Sequence, residues 1–279
     1  MAVRFVDLHM HSPASDGFWT PRTLPPAAAE LGLDVIALTD HDEIAGVPEM
    51  AEACRAYDIQ VIPGVEISVT FEKVGYHMLA YGVDLQNPAL VETFAGVRSY
   101  YDEMCRNAVA ELARRGKPLD PEKSPAMQGD ALKVYHLVAA LIENGYAENM
   151  SKAYALCNEV GAQYGWQPPM EEAIRLVHGA GGVAVIAHPG RAEPGFSPAR
   201  EQQLDAMRAF GLDGVEVFHT FHTAADVAFY LNYAERHDML IGTGSDSHGP
   251  GQSNRMLTKW PAVHSRALLE RCGLRSFEF

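Results

Sequence analysis

His9 and His11, one residue apart in Val6-Asp7-Leu8-His9-Met10-His11, are the first residues whose types and spacing could do chemistry. Asp16 follows in Ser15-Asp16-Gly17. Side chains at i and i+2 of a strand leave the same face, so the two imidazoles are able to address one point. Imidazoles with a nearby carboxylate form a ligand set for a divalent metal. The same residue types recur beside later apolar segments, in Asp40-His41-Asp42, Gly64-Val65-Glu66-Ile67-Ser68 and Gly75-Tyr76-His77-Met78, then in His188-Pro189-Gly190-Arg191 and Ser245-Asp246-Ser247-His248. Each has a structural alternative. A lone strand-end histidine is commonly a hydrogen-bonded structural group, Asp40 and Asp42 are suited to capping a following helix, Glu66 to a buried ion pair, and Asp246 to a turn. The conjunction favours chemistry, because six of the twelve histidines fall in this set. His178 and His237 lie near helix C-termini, where positive charge is favourable.

Seven short apolar segments must position these residues: Val3–Leu8, Val35–Thr39, Gln60–Val69 with a bend at Pro63-Gly64, Tyr76–Val83, Val183–Ala187, Gly214–Phe218 and Met239–Gly244. Helical patterns over 25–32, 48–57, 170–178 and 224–237 alternate with them, the first opened by proline and closed by glycine. The alternation predicts a parallel sheet with helical crossovers, and seven units favour a (β/α)7 barrel. Barrel active sites form where the C-terminal strand ends meet, so residues spread along the chain converge there. The interval from about 85 to 169 reads as helical throughout, over 89–115, 131–144 and from 151 onward. It is too long for one crossover. The expected organisation is a barrel over 1–84 and 170–279, with a helical insertion over 85–169 between strands four and five. That insertion serves either as a lid over the strand ends or as extra outer helices.

The composition narrows the function classes. Thirty-six Asp and Glu against 22 Lys and Arg give a formal charge of −14, unsuited to a duplex nucleic acid surface. A small phosphorylated substrate stays compatible, since bound divalent ions create local positive charge. Four scattered cysteines without a C-x-x-C pair read as reduced thiols, and no run approaches ~20 apolar residues. A cytoplasmic protein with no membrane partner is expected.

The ordered series H-x-H, S-D-G, T-D-H, G-V-E-x-S, a mid-chain His, A-H-P-G-R and S-D-S-H resembles the PHP (polymerase and histidinol phosphatase) superfamily of metal-dependent phosphoesterases. It is closest to the small bacterial stand-alone members with a helical insertion. The resemblance implies a distorted seven-stranded barrel holding two to three divalent ions (manganese, iron or zinc). It implies a first ion on His9, His11, Glu66 and Asp246, and a second on Glu66, His77 and His188. A third would be held by Asp16, His41 and His248. It further implies attack on phosphorus by a hydroxide bridging the metals, with Asp16 and His41 in the catalytic centre.

Arg191 is the expected phosphate fork, with a surface ion pair as its alternative. His222 is expected to contact phosphate or to donate a proton to the leaving oxygen, whereas His219 reads equally as structural. Related members carry Arg-x-His in the insertion. This chain reads Lys133-Val134-Tyr135-His136, so His136 matches, Val134 stands in the arginine's place, and Lys133 is the candidate cation. The expected substrate is a small nucleotide or ribose phosphate, either a nucleoside 3′,5′-bisphosphate monoester or a ribose cyclic phosphate diester. The alternatives are a metal-dependent amidohydrolase, a histidinol-phosphate phosphatase and a non-catalytic metal-stabilised module.

Overall fold

Aliphatic and β-branched runs form the strands, and local chain chemistry delimits the helices between them. The structure is a computed structural model that describes residues 3–124, 127, 131–192, 196–250 and 256–274. Strands β1 (Phe5–Met10), β2 (Val35–Leu38), β3 (Gln60–Phe71) and β4 (Val74–Tyr81) are followed by β5 (Val183–Ile186), β6 (Gly214–His219), β7 (Leu240–Gly244) and β8 (Trp260–Pro261). Helix α1 (Leu24–Leu31) has proline in its first turn and stops at Gly32, whose φ of 79° is left-handed. Helix α2 (Val47–Arg55) follows β2.

The sheet order is β7-β6-β5-β4-β3-β2-β1-β8. It is barrel-like and nearly closed, because β1 also meets the end of β7. His11 N–H donates to Ser247 O at 2.9 Å, and Ser247 N–H donates to His9 O at 3.2 Å. The buried Asp7 reinforces that seam by accepting from Ser245 N–H (2.9 Å) and the Ser245 hydroxyl (2.6 Å). Burial raises the Asp7 pKa to about 6 against these hydrogen bonds. One apolar cluster gathers Val6, Leu8, Val35, Ile62 and Val185 with Leu268 of the C-terminal segment. Another packs Met10, Ile36 and Leu38 against Leu24, Ala28 and Met50 of α1 and α2.

The expectation of a wholly parallel sheet is corrected. β4 runs antiparallel to both β3 and β5. Phe71 and Val74 are joined by only Glu72 and Lys73, with φ of 50° and 67°, a two-residue hairpin that leaves no room for a crossover helix. β3 serves two neighbours in turn, pairing with β2 over Gln60–Pro63 and with β4 from Gly64 onward. This reversal explains the position of His77. Lying towards the start of an antiparallel strand, it reaches the face where the parallel strands end. The sequence reading does not include β8 or the helix Glu201–Ala209.

The chain divides into two compact units, Met1–Val91 with Gln167–Phe279, and Glu92–Trp166. The second unit takes most of the 27-residue helix Pro88–Arg114, followed by helices Val134–Glu143 and Met150–Glu159. Its core is apolar, built on Val97, Cys105, Leu112, Leu137, Leu141 and Cys157. Asn149 caps the last of these helices by accepting from Lys152 N–H at 3.0 Å. No helix among the described residues is long and apolar enough to cross a membrane.

Candidate metal centre

The polar residues singled out in the barrel meet around Glu66, which is fully buried on β3. Its Oε2 lies 3.0 Å from His9 Nε2, 3.2 Å from His11 Nε2 and 3.3 Å from His41 Nδ1. Its Oε1 lies 2.9 Å from His77 Nδ1 and 3.0 Å from His188 Nε2. One carboxylate therefore faces two sets of imidazoles, one per oxygen. Asp246 joins the first set, with Oδ1 3.1 Å from His11 Nε2 and 3.6 Å from His9 Nε2. A third group lies beside it, where Asp16 Oδ2 is 3.2 Å from His248 Nε2 and Asp16 Oδ1 is 3.6 Å from His11 Nδ1.

Ligand atoms of His9, His11, Glu66 and Asp246 lie within 4.8 Å of one another, as do those of His11, Asp16, His41 and His248, and those of His41, Glu66 and His77. The donor chemistry fits a cation. Buried His11 Nε2, His77 Nδ1 and Asp16 Oδ1 make no hydrogen bond, although a carboxylate or an imidazole lies within 3.6 Å of each. Atoms that converge without aligning as donor and acceptor are suited to sharing an ion, and mixed nitrogen and oxygen donors suit a divalent metal.

Loop chemistry sets the ligands in place. The β1/β2 register breaks between Asp7 and Met10, at the segment that carries His9. His188 and Asp246 have φ of 27° and 53°, in the region that non-glycine residues rarely occupy, so the turns bearing these two side chains are strained. A Cβ on Gly17 would stand 2.1 Å from His11 O, which is why the chain turns back on the first motif only with glycine there. Asp40 and Asp42 do not cap α2, which starts at Val47 after Gly46. Asp40 instead accepts from Ser12 N–H (2.7 Å) and the Ser12 hydroxyl (2.6 Å), and Asp42 from Ser68 N–H (2.8 Å) and its hydroxyl (2.9 Å). Both brace the loops that present His11, His41 and Glu66.

The electrostatics divide the imidazoles. Burial favours loss of the His11 proton, but the carboxylates of Asp246 and Glu66 at its Nε2, with Asp16 behind, outweigh it and hold its pKa up at about 10. Burial dominates at His188 and lowers it to about 4, leaving a neutral ring. Burial would raise Glu66, yet the surrounding imidazoles hold it well below the ordinary range. Exposure is uneven: His9, His11 and Glu66 side chains have none, whereas His77, Asp16 and His41 retain 13%, 20% and 22%.

Arg191 follows His188 by three residues, its N–H donating to His188 O at 2.9 Å. Its guanidinium lies 4.3 Å from the Phe196 ring centre, and Phe196 meets the His77 ring at 4.9 Å. His222 stands beside the same turn. Its Nδ1–H donates to Val217 O (2.8 Å) and its Nε2 accepts from Gly190 N–H (3.1 Å), so both nitrogens serve the backbone. It clips the His188–Arg191 turn to β6. Lys133 and His136 fall in the helical unit, at the start of helix Val134–Glu143, where His136 Nδ1 accepts from Lys133 N–H at 3.1 Å. Sequence reasoning missed Glu216, buried on β6 and bonded to His9 and to the His188 backbone. Its one signal was a charge inside the apolar run Gly214–Phe218.

The PHP domain model matches residues 7–174. The chain is 32% identical over 255 residues to a 3′,5′-nucleoside bisphosphate phosphatase of Chromobacterium violaceum, covering 90% of this chain and 89% of the relative. It is 30% identical over 248 residues to a 5′-3′ exoribonuclease of Haemophilus influenzae, covering 88% and 90%. Among solved structures, a protein assigned as a metal-dependent phosphoesterase from Bifidobacterium adolescentis superposes with a TM-score of 0.82 at 34% identity, covering 95% of this chain and 96% of that one. Ligand chemistry gathered at the strand ends, a barrel of this topology and these likenesses agree: the chain belongs to the PHP family and is a phosphoric ester hydrolase.

Proposed function

We propose that this enzyme removes a phosphate from a small nucleotide, a nucleoside 3′,5′-bisphosphate being the first candidate. The observation that carries the reading is Glu66, buried with each carboxylate oxygen facing its own set of imidazoles. A carboxylate so placed would be able to serve two neighbouring ions. His9, His11 and Asp246 would hold one ion with Glu66, His77 and His188 a second, and Asp16, His41 and His248 a third. When bound, such ions lower the pKa of water, supply the nucleophile and neutralise phosphoryl oxygens.

The chain's own residues do the rest. Asp16 and His41 line the accessible side, where the ester enters. Arg191, three residues beyond His188, supplies a planar fork for the phosphoryl oxygens, with Phe196 supporting its guanidinium. Lys133 and His136 are the helical unit's candidates for a second phosphate or the sugar, to be read as KM effects. The relative's substrate supports the bisphosphate choice. The four free thiols suit a cytoplasmic setting.

The test is a substrate panel on metal-stripped protein reloaded separately with manganese, iron or zinc. It contains a nucleoside 3′,5′-bisphosphate, a ribose cyclic phosphate, a 5′-phosphorylated oligoribonucleotide, histidinol phosphate and a set of lactams and amides. Phosphate release from the bisphosphate is expected, lost in Asp16→Ala, His41→Ala and His188→Ala. Amide hydrolysis alone, or phosphatase activity unchanged in those three variants, overturns the proposal.

A further inference from the structure

Glu216 is a carboxylate with no exposure, in the middle of β6 and outside the set of residues assigned to the ions. A buried carboxylate is costly unless its oxygens are satisfied, and both of these are. Oε1 accepts from His9 Nδ1–H at 3.0 Å, and Oε2 accepts from His188 N–H at 2.6 Å. The two partners stand on opposite sides of Glu66, since His9 faces its Oε2 and His188 its Oε1. The fold is built to allow this approach: a Cβ on Gly244 of β7 would lie 2.7 Å from Glu216 Oε1 and 2.2 Å from His9 Cβ.

We propose that Glu216 is the positioning residue of this centre, fixing the Nδ1–H form of His9 with one oxygen and the turn that carries His188 with the other. The proposal rests on the metal-binding reading above. A carboxylate only accepts, so the proton on His9 Nδ1 is held in place and Nε2, 3.0 Å from Glu66, is the nitrogen left for an ion. The bond to His188 N–H anchors a residue whose φ of 27° is unfavourable, and so sets where its ring stands. One side chain thereby ties the geometry of the two proposed neighbouring ions together. His9, Glu216 and His219 also present ligand atoms within 4.8 Å of one another. His9 Nδ1 is committed to Glu216, however, and His219 Nδ1 accepts from Phe221 N–H at 3.1 Å, so this trio supports the neighbouring site and is not itself a separate one.

Glu216→Gln is the discriminating variant. Gln accepts through one oxygen only, so its NH2 must confront either His9 Nδ1–H or His188 N–H. Zinc affinity of the metal-stripped protein, measured by competition with a chromophoric chelator, is expected to fall about 10–100-fold. Wild-type-like circular dichroism would show that the variant folds. In zinc-loaded wild-type protein, nitrogen NMR of the histidine rings is expected to show His9 protonated at Nδ1 and ligated through Nε2. Affinity within twofold of wild type in folded Glu216→Gln, or His9 ligated through Nδ1, overturns the proposal. If Glu216→Gln does not fold, the wild-type NMR result decides. Wild-type protein that binds no zinc, manganese or iron would instead reject the metal-binding reading itself.

Discussion

The barrel and the helical unit bury different things. The barrel encloses Asp7, His9, His11, Asp40, Glu66, His188, Glu216 and Asp246, whereas the buried polar side chains described in the helical unit are Ser124, Lys133 and His136. In the helical unit, stability comes from apolar packing and from exposed helix pairs such as Arg115 with Glu111. In the barrel, buried polar groups beside the candidate centre also hold strand ends together, as Asp7 and Glu216 do, so losing a partner there carries a cost. Chemistry and cohesion are entangled in one region and separable in the other.

The harshest way to break that contrast is at Glu66. Glu66→Ala removes the carboxylate against which five histidines are placed, and ester hydrolysis is expected to fall by at least about 10³-fold, since metal-assisted charge stabilisation is worth several kcal/mol. Metal content measured on the purified variant should fall in parallel. Retained metal and activity would mean that the imidazoles are not organised for ions at all.

Leu137→Ala probes the other region. Leu137 is fully buried in the apolar core of the helical unit, so the substitution should cost about 2–5 kcal/mol there. Denaturant unfolding followed by circular dichroism measures it, and the contrast predicts that metal content stays at the wild-type level. Loss of metal in this variant would show that the two regions are not separable.

Ser245→Ala sharpens the contrast within the barrel. It removes the hydroxyl that donates to the buried Asp7 at 2.6 Å and sits next to Asp246. Leaving a buried carboxylate short of a donor costs about 1–3 kcal/mol. A melting-temperature decrease accompanied by weakened metal binding is expected, in contrast to Leu137→Ala.

The same contrast explains what could be read from the chain. His9, His11, His41, His188, Asp246 and His248 were legible because each interrupts or ends an apolar run, and barrel geometry brings such ends together. Glu66 and His77 looked misplaced within their strands. They are not, because β3 continues past the end of β2 and β4 runs in the opposite direction. The two-residue gap between Phe71 and Val74 carried that information, since a parallel return needs a much longer connection. Glu216 was illegible for a different reason. Its role depends on His9 and His188, 207 and 28 residues away, and nothing local marks a charged residue in a strand as a partner to either. The backbone partners of His222 were illegible for the same reason, since Val217 O and Gly190 N–H reach its two nitrogens only in the folded chain. In the helical unit the helices were legible from pattern, because apolar periodicity alone sets them.

The mildest test varies proton concentration and leaves the sequence intact. In the metal-free protein His11 has a pKa of about 10, raised because Asp246 and Glu66 outweigh the effect of burial. It therefore carries a proton at pH 7, while an ion requires the neutral ring. Metal binding must release that proton, so affinity should rise with pH, by up to tenfold per unit for one proton, and level off above pH 10. The stability of the metal-free fold moves in the opposite sense. The contribution from His11 is fully present below the unfolded value of about 6.5 and is lost as pH rises through 10. Zinc titrations by calorimetry at pH 7 in buffers of different ionisation enthalpy give the number of protons released. A value near zero at this pH would mean that the cluster is not held together by protonated imidazole in the absence of metal. The entanglement of cohesion with chemistry would then be confined to the loops braced by Asp7, Asp40 and Asp42.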